Sequence, residues 1–319
     1  MADIAREDAL ALLARQDINE IIKGGTKTSA ALASFRTIQM TAGTARMPVL
    51  SALPTAGWVT ESATETSGVK PTSEVKWDSK ELIAEELAVI IPVHENVLDD
   101  SNFDIWGEVR PLVAQEFGRL LDLAVFFGEG KPATWKDPAL VPGAIAAGNT
   151  FTAGSGTPKD LAEDLNQTFG KVEEDGFDVN AVYTGRFLKP QLRGLRDSNG
   201  QPIYLTAIRE DGATESVYGE RLHYVENGSW KRDVASALVG DTSNAILGIR
   251  QDVQVKLLDQ ATVGGINLAE RDMVALRFKF RVGYAVANPI QVGVENGFPF
   301  AALVPADSLS LIHISEPTR

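Results

Sequence analysis

The chain has 319 residues, 44% of them hydrophobic and 23% charged, with a formal net charge of −13; this is the profile of a folded soluble protein with one large or two interleaved domains, not of a disordered chain. So acidic a balance argues against a surface built to neutralise nucleic-acid phosphates, and the absence of cysteine excludes disulfide frameworks, thiolate metal sites and cysteine nucleophiles. The longest apolar runs, "LAVIIPV" and "LLDLAVFF", fall well short of a membrane span.

The opening stretch "MADIAREDALALLARQDINEII" lacks the apolar core and cleavage site of a signal peptide and reads as mature protein. Between Asp3 and Ile22 its apolar residues follow helical spacing only roughly, predicting a short helix on an extended arm that "KGGTKTSAA" ends. Two stretches rich in β-formers follow, "FRTIQMTAGTARMPVLSALPTAGWVTE" and "VKWDSKELIAEELAVIIPV". In the second, Leu87, Val89, Ile91 and Val93 keep a two-residue repeat that places them on one strand face. Between the two lies Ser62 to Glu74, "SATETSGVKPTSE", whose turn-like composition and length predict a projecting hairpin rather than a tight turn.

A long helix comes next. Asp104 can cap it, and Ile105, Val109, Val113, Phe117, Leu120, Leu121 and Ala124 form its apolar stripe. Running to a stop at Gly128, it spans roughly 36 Å, with Pro111 expected to kink it or displace its start. The segment Ala146 to Pro158, "AAGNTFTAGSGTP", breaks the composition and marks an expected domain boundary. Thr157 and Pro158 then read as the cap and first turn of a helix ended by Gly176. A strand "FDVNAVYT", a helix "GRFLKPQLRGLR", and β-rich "SALVGD" and "AILGIRQDVQVKLL" follow. In "MVALRFKFRVGYAVANPIQVGV", Val274, Leu276, Phe278, Phe280, Val282 and Tyr284 alternate as in a long half-buried strand. The expected class is α+β.

Catalytic signals are weak throughout. Apart from His313, the histidines are His94 and His223, and neither has a partner at metal-ligand spacing. The acidic pairs Glu85–Glu86, Asp99–Asp100 and Glu173–Glu174 are sequence neighbours whose side chains point in different directions, and they read as solvated surface rather than acid/base dyads. "GGTKTS", Gly24 to Ser29, lacks the spacing of a phosphate loop, and no G-x-S-x-G elbow is present. No catalytic, cofactor-binding or metal residue is expected, so the chain is not expected to be an enzyme.

The order of parts, together with the blocks "MPVLSALPTAGWVTE", "AVIIPVHENVLDDSNFDIWGEV", "AQEFGRLLDLAVFFGEG", "SALVGDTSNAILGIRQDVQVKLL" and "DMVALRFKFRVGYAVANPIQVGV", resembles the major capsid proteins of tailed bacteriophages with the Hong Kong 97 fold. The resemblance runs from about Ile18 to Ala306. It implies an N-terminal arm over residues 1–46, an extended loop over 47–82, a peripheral domain with a spine helix over 83–148, an axial domain over 149–284, and a return strand to the peripheral domain over 285–308. It further implies a shell subunit, assembled in the host cytoplasm and resident in the virion. Such subunits self-associate into pentamers and hexamers of an icosahedral head, which encloses double-stranded DNA without sequence-specific binding. Other copies of the chain are the main partners, joined by portal, scaffolding or decoration proteins; no membrane and no cofactor is implied. An encapsulin, the nanocompartment shell protein of the same fold, is the alternative, separable by whether portal and tail genes or a cargo enzyme lie beside the gene.

An arm and hairpin cannot bury their own apolar residues, so Trp58, Val59 and Trp77, with Lys70, are the expected intersubunit contacts. The Lys–Asn crosslink of some relatives is not expected, because none of Lys70, Lys76, Lys80, Asn288 and Asn296 fits that pattern. The chain begins directly at the arm, which implies a separate scaffolding protein or assembly without one. Finally, Leu309 to Arg319, "LSLIHISEPTR", reads back codon by codon as the transposon end and adapter of a sequencing library. These residues are expected to be a sequencing-adapter artefact: tryptic mass spectrometry of native protein should lack this peptide, and finding it would refute the reading.

Overall fold

The protein is described by a computed structural model over residues 28–54, 56, 58, 72–99, 105–196, 207–209, 212–214, 216–288, 291 and 297–306. The helix expected within the first 22 residues, the hairpin tip before Thr72, the capping Asp104 and the tail after Ala306 lie outside these residues.

In chain order the elements begin with α1 (Ala30–Ser34), β1 (Arg36–Gln39), β2 (Thr44–Ala52), β3 (Lys76–Ile83), β4 (Glu85–His94) and α2 (Glu95–Asp99). The long helix α3 (Ile105–Asp122) continues as one wider π turn over Leu123–Phe127, and α4 (Leu140–Ala147), β5 (Thr150–Thr152), α5 (Leu161–Glu174), β6 (Ala181–Gly185) and α6 (Leu188–Gly194) follow. Then come β7 (Ala207–Arg209), β8 (Gly212–Thr214), β9 (Ser216–Val217), β10 (Glu220–Val225), β11 (Ala237–Gly240) and β12 (Ala245–Leu258). The chain closes with β13 (Thr262–Val263), β14 (Ile266–Asn267), β15 (Met273–Val286) and β16 (Phe300–Val304). Helices and mixed sheets share one core, so the class is α+β.

Two sheets organise the molecule. The first has the order β1-β12-β15-β4 and the second β5-β16-β11-β6-β10-β9. In the first, β4 alternates half-buried and exposed along its whole length, as the repeat of Leu87, Val89, Ile91 and Val93 predicts; Pro92 is tolerated because β4 is an edge strand. β15 buries Leu276, Phe278, Phe280, Val282 and Tyr284 against α3. That helix contributes Val113, Phe117, Leu121 and Ala124. Leu120, expected in the stripe, stands 38% exposed instead. The helix runs through Pro111 and stops where expected: Gly128, at φ 77°, donates its N–H to the Ala124 carbonyl, a left-handed cap that favours glycine.

In the second sheet, the three central strands β6, β11 and β16 are buried at every position, as strands covered on both faces must be. Their alternation divides two packing layers. Tyr183, Leu238 and Phe300 face the core shared with α3 and α4, whereas Val182, Val239 and Ala301 face α5, where Leu165, Phe169 and Val172 meet them.

One expected helix start is corrected. The helix after the glycine-rich break begins at Leu161, not Pro158; Asp160 caps it, accepting a hydrogen bond from the Glu163 amide at 2.8 Å, which Thr157 is too early to do. The expected boundary between residues 284 and 285 does not follow the sheets. β12 and β15 pair with each other and, through β15, with β4, while β16 pairs antiparallel with β11 and parallel with β5. The reason is the length of β15: fourteen residues carry it along the whole first sheet before the chain crosses to the second. From residue 28 on, the segment expected as an N-terminal arm over residues 1–46 packs on the rest of the chain. α1 buries Ala30 and Ala31, Phe35 contacts Phe126 and Tyr183 edge-on at 5.7 and 5.8 Å, and β1 extends the first sheet in parallel with β12.

Candidate assembly surface

β2 and β3 form the predicted hairpin, in antiparallel register from Thr44 opposite Ile83 to Ala52 opposite Lys76. Among the described residues, the rest of the chain holds it at its base. Leu82 and Met40 pack there with Ala84, Ile246 and Ala285, and the Trp135 indole donates to the Ile83 carbonyl at 3.0 Å. Ion pairs flank the base. Lys80 meets Asp137 at 3.0 Å, and Lys136 meets Glu81 at 2.7 Å. The hydrogen bond from Lys136 holds the Glu81 carboxyl below its usual range, with the nearby charges of Lys136 and Arg46 adding to the effect.

Two glycines let the base lie so close. A Cβ at Gly248 would fall 2.4 Å from both the Leu82 Cδ2 and the Met40 Sδ, and one at Gly283 would fall 2.7 Å from the Ile83 carbonyl oxygen. The second clash is with backbone that cannot turn aside. Gly283→Ala should therefore cost about 1–3 kcal/mol of overpacking strain, measured by denaturant unfolding. Gly248→Ala, which meets only side-chain ends, should cost less; equal losses would show that the backbone contact is not what fixes the hairpin.

Beyond the base the hairpin carries apolar surface into solvent. Trp77 is 68% exposed, Val75 is 47% exposed and Trp58 is fully exposed. The structure thus keeps both tryptophans out of the subunit core, in contrast to Trp135 and Trp230, which pack against Tyr284 and Phe127. Val59 and Lys70, the other expected contacts, lie outside the described residues. Side chains this large rarely stand free on a monomer.

A second feature ties the hairpin's scaffold together. Asp122, at the end of α3, is fully buried and accepts hydrogen bonds from two separate segments: from the Ser29 hydroxyl at 2.5 Å and the Ala30 and Ala31 amides at 3.0 and 3.1 Å, and from the Asn227 side-chain amide at 2.6 Å. Burial pushes its carboxyl above the ordinary range, and the four donors pull against that shift without cancelling it. Gly118, one turn earlier, admits Ser29: a Cβ there would lie 3.2 Å from the Ser29 backbone nitrogen. Sequence reasoning missed Asp122, although a lone acid inside the apolar run "RLLDLAVFF" is the available signal, since a charge in such a run must be met by fixed donors. Its partners, at separations of 91 to 105 residues, had no signal at all.

The described residues offer little for chemistry. Among them no group of three or more histidine or acidic side chains converges on a metal-sized site, and no helix is long and apolar enough to cross a membrane. His223 stacks on Tyr183 with ring centroids 5.3 Å apart; burial, and then Arg221, lowers its pKa. Of the acidic pair on β4, Glu85 accepts from the Thr134 hydroxyl at 2.7 Å while Glu86 pairs with Lys279. The two carboxylates do not face a common site.

Known proteins share this arrangement. The model of the phage capsid family matches residues 11–294. The major capsid protein of Staphylococcus phage 80alpha is 27% identical over 245 residues, covering 74% of this chain and 68% of that protein. A solved chain from Microbacterium phage Oxtober96 is 63% identical and superposes with a TM-score of 0.87, covering 95% of this chain and 100% of that one. Another, from Mycobacterium phage Bobi, is 43% identical with a TM-score of 0.85, covering 96% of this chain and 100% of that one. With the family model spanning most of its length, and with a hairpin that leaves its tryptophans uncovered, the chain belongs to the phage capsid family and is a major capsid protein.

Proposed function

We propose that the chain is a Hong Kong 97-type shell subunit, without catalytic activity, that self-assembles into the pentamers and hexamers of an icosahedral head around double-stranded DNA. The β2–β3 hairpin is the extended loop and lies across a neighbouring copy. The first sheet with α3 forms the peripheral domain; the second sheet with α5, closed by β16, forms the axial domain that meets its symmetry mates. The observation that carries the reading is the exposure of Trp58 and Trp77 on a hairpin that, among the described residues, is anchored at its base. Such a surface is stabilised by burial in a partner, and symmetric self-association supplies one. The acidic balance of −13 suits a wall that contacts packed DNA without adsorbing it.

Size-exclusion chromatography and negative-stain microscopy of the purified chain test this. Closed shells, or five- and six-membered rings, are expected. A monodisperse monomer under every assembly condition would overturn the proposal.

A further inference from the structure

The face of the first sheet turned away from α3 carries a charge that the rest of the chain does not. Along β15, Phe278 and Phe280 point to the helix side, so Arg277, Lys279 and Arg281 share the open face. The register places Lys256 of β12 directly opposite Arg277, Gln254 opposite Lys279 and Gln251 opposite Arg281. Two register breaks in β12, between Ile249 and Gln251 and between Gln251 and Gln254, bring Arg250 to the same region. Arg250, Gln251, Asp252, Gln254 and Arg281 line a niche of about 350 Å³.

These cations are poorly matched within the subunit. Lys279 pairs with Glu86, while among the described residues Arg250 and Arg281 make long contacts of 3.4 Å, to the carbonyls of Met40 and Ala84. No carboxylate forms an ion pair with Lys256 or Arg277 among the described residues. Like charges directly opposite on neighbouring strands destabilise a sheet. The Lys256–Arg277 pair is therefore an unfavourable local choice that an incoming anion would reverse. At its rim the same face adds Ile90, opposite Arg277 and 38% exposed, so the surface mixes arginine with apolar area, as association interfaces do.

Resting on the capsid reading, we propose that this open face is a self-association surface that docks carboxylates from the acidic surface of a second copy of the chain. Charge complementarity selects the partner. With a net charge of −13 and a cationic sheet face, a neighbouring copy carries its excess of carboxylates elsewhere on the chain. Such a subunit repels its neighbours unless attractive contacts are placed locally. The niche sets Arg250, Arg281 and two glutamine amides against a single acid, Asp252, a net positive lining that suits a planar carboxylate held by paired N–H donors. A duplex, by contrast, would meet the repulsion of the whole chain. The contact joins two different surfaces, and such heterologous contacts close rings.

The test is the double variant Lys256→Glu/Arg277→Glu beside wild type and the neutral Lys256→Gln/Arg277→Gln. All three are purified, checked by circular dichroism, and assayed for shell yield from about 0.1 to 0.5 M salt, a range over which screening lengths halve. Relative to the Gln variant, wild-type yield should fall as salt rises, because the overall repulsion that salt screens is largely common to both. The Glu variant should stay a folded, unassembled subunit with yield at least about tenfold lower, and the Gln variant should be intermediate. A Glu variant that forms shells at wild-type yield would overturn this inference while leaving the capsid reading intact. So would wild-type protein that retards a DNA fragment in a gel when the Glu variant does not, with equal shell yields, because the face would then serve DNA. Wild-type protein that assembles at no salt concentration would overturn both readings.

Discussion

A Trp58→Ala/Trp77→Ala variant should fold like wild type and fail to build shells. Both indoles stand in solvent in the subunit, so removing them should change subunit unfolding free energy by no more than about 0.5 kcal/mol, the usual range for exposed substitutions. In an interface the same side chains are the kind that dominate binding, at about 2 kcal/mol or more each. The critical concentration for assembly should accordingly rise by at least about tenfold, read by light scattering against protein concentration. A variant that loses unfolding free energy in proportion to its assembly defect would show instead that the tryptophans serve the subunit's own core.

Changing Asp122 should do the reverse, striking the subunit before the shell. Asp122→Ala leaves four buried donors without their acceptor, and breaking such a buried network costs about 3–5 kcal/mol, a large part of the stability of a typical domain. The pieces freed are α1 and the turn at Asn227, so hydrogen exchange should rise first at Ala30–Phe35 and around Asn227. The pH dependence has a definite sign. Burial raises the folded-state pKa of Asp122 above its unfolded value, so the ionised form is the one disfavoured in the folded protein. This group's contribution to stability is fully present below its unfolded pKa and is lost as pH rises through the folded one. Most carboxylates in a folded protein behave oppositely. Subtracting the stability profile of Asp122→Asn from that of wild type should therefore give a difference that grows toward acid pH. A difference that shrinks toward acid pH would mean that the four donors outweigh burial.

The sequence made some of this legible and hid the rest for physical reasons. The two-residue repeat of β4 and the apolar stripe of α3 are local patterns with a fixed period, so the strand and the helix could be read directly. The hairpin was visible because Ser62–Glu74 is dominated by turn-forming and polar residues, with Val69 its one large apolar side chain. Strand pairing was not visible: nothing local tells β16 to leave β15 and join β11 and β5. The start of α5 was missed because two cap signals, Thr157–Pro158 and Asp160, lie three residues apart, and only the hydrogen bond to the Glu163 amide chooses between them. At the site, Trp58 and Trp77 could be named because a hairpin cannot hide them. Asp122, Gly283 and the cationic sheet face needed the register, since each is defined by a neighbour distant in sequence.

The central claim is that the hairpin's apolar surface is completed by a neighbouring copy. A cryo-electron microscopy reconstruction of shells assembled from this chain tests it most directly. The account predicts that Trp58 and Trp77 lie buried against an adjacent subunit, with the hairpin base unchanged at Gly248 and Gly283. Shells in which both indoles still face solvent would contradict it.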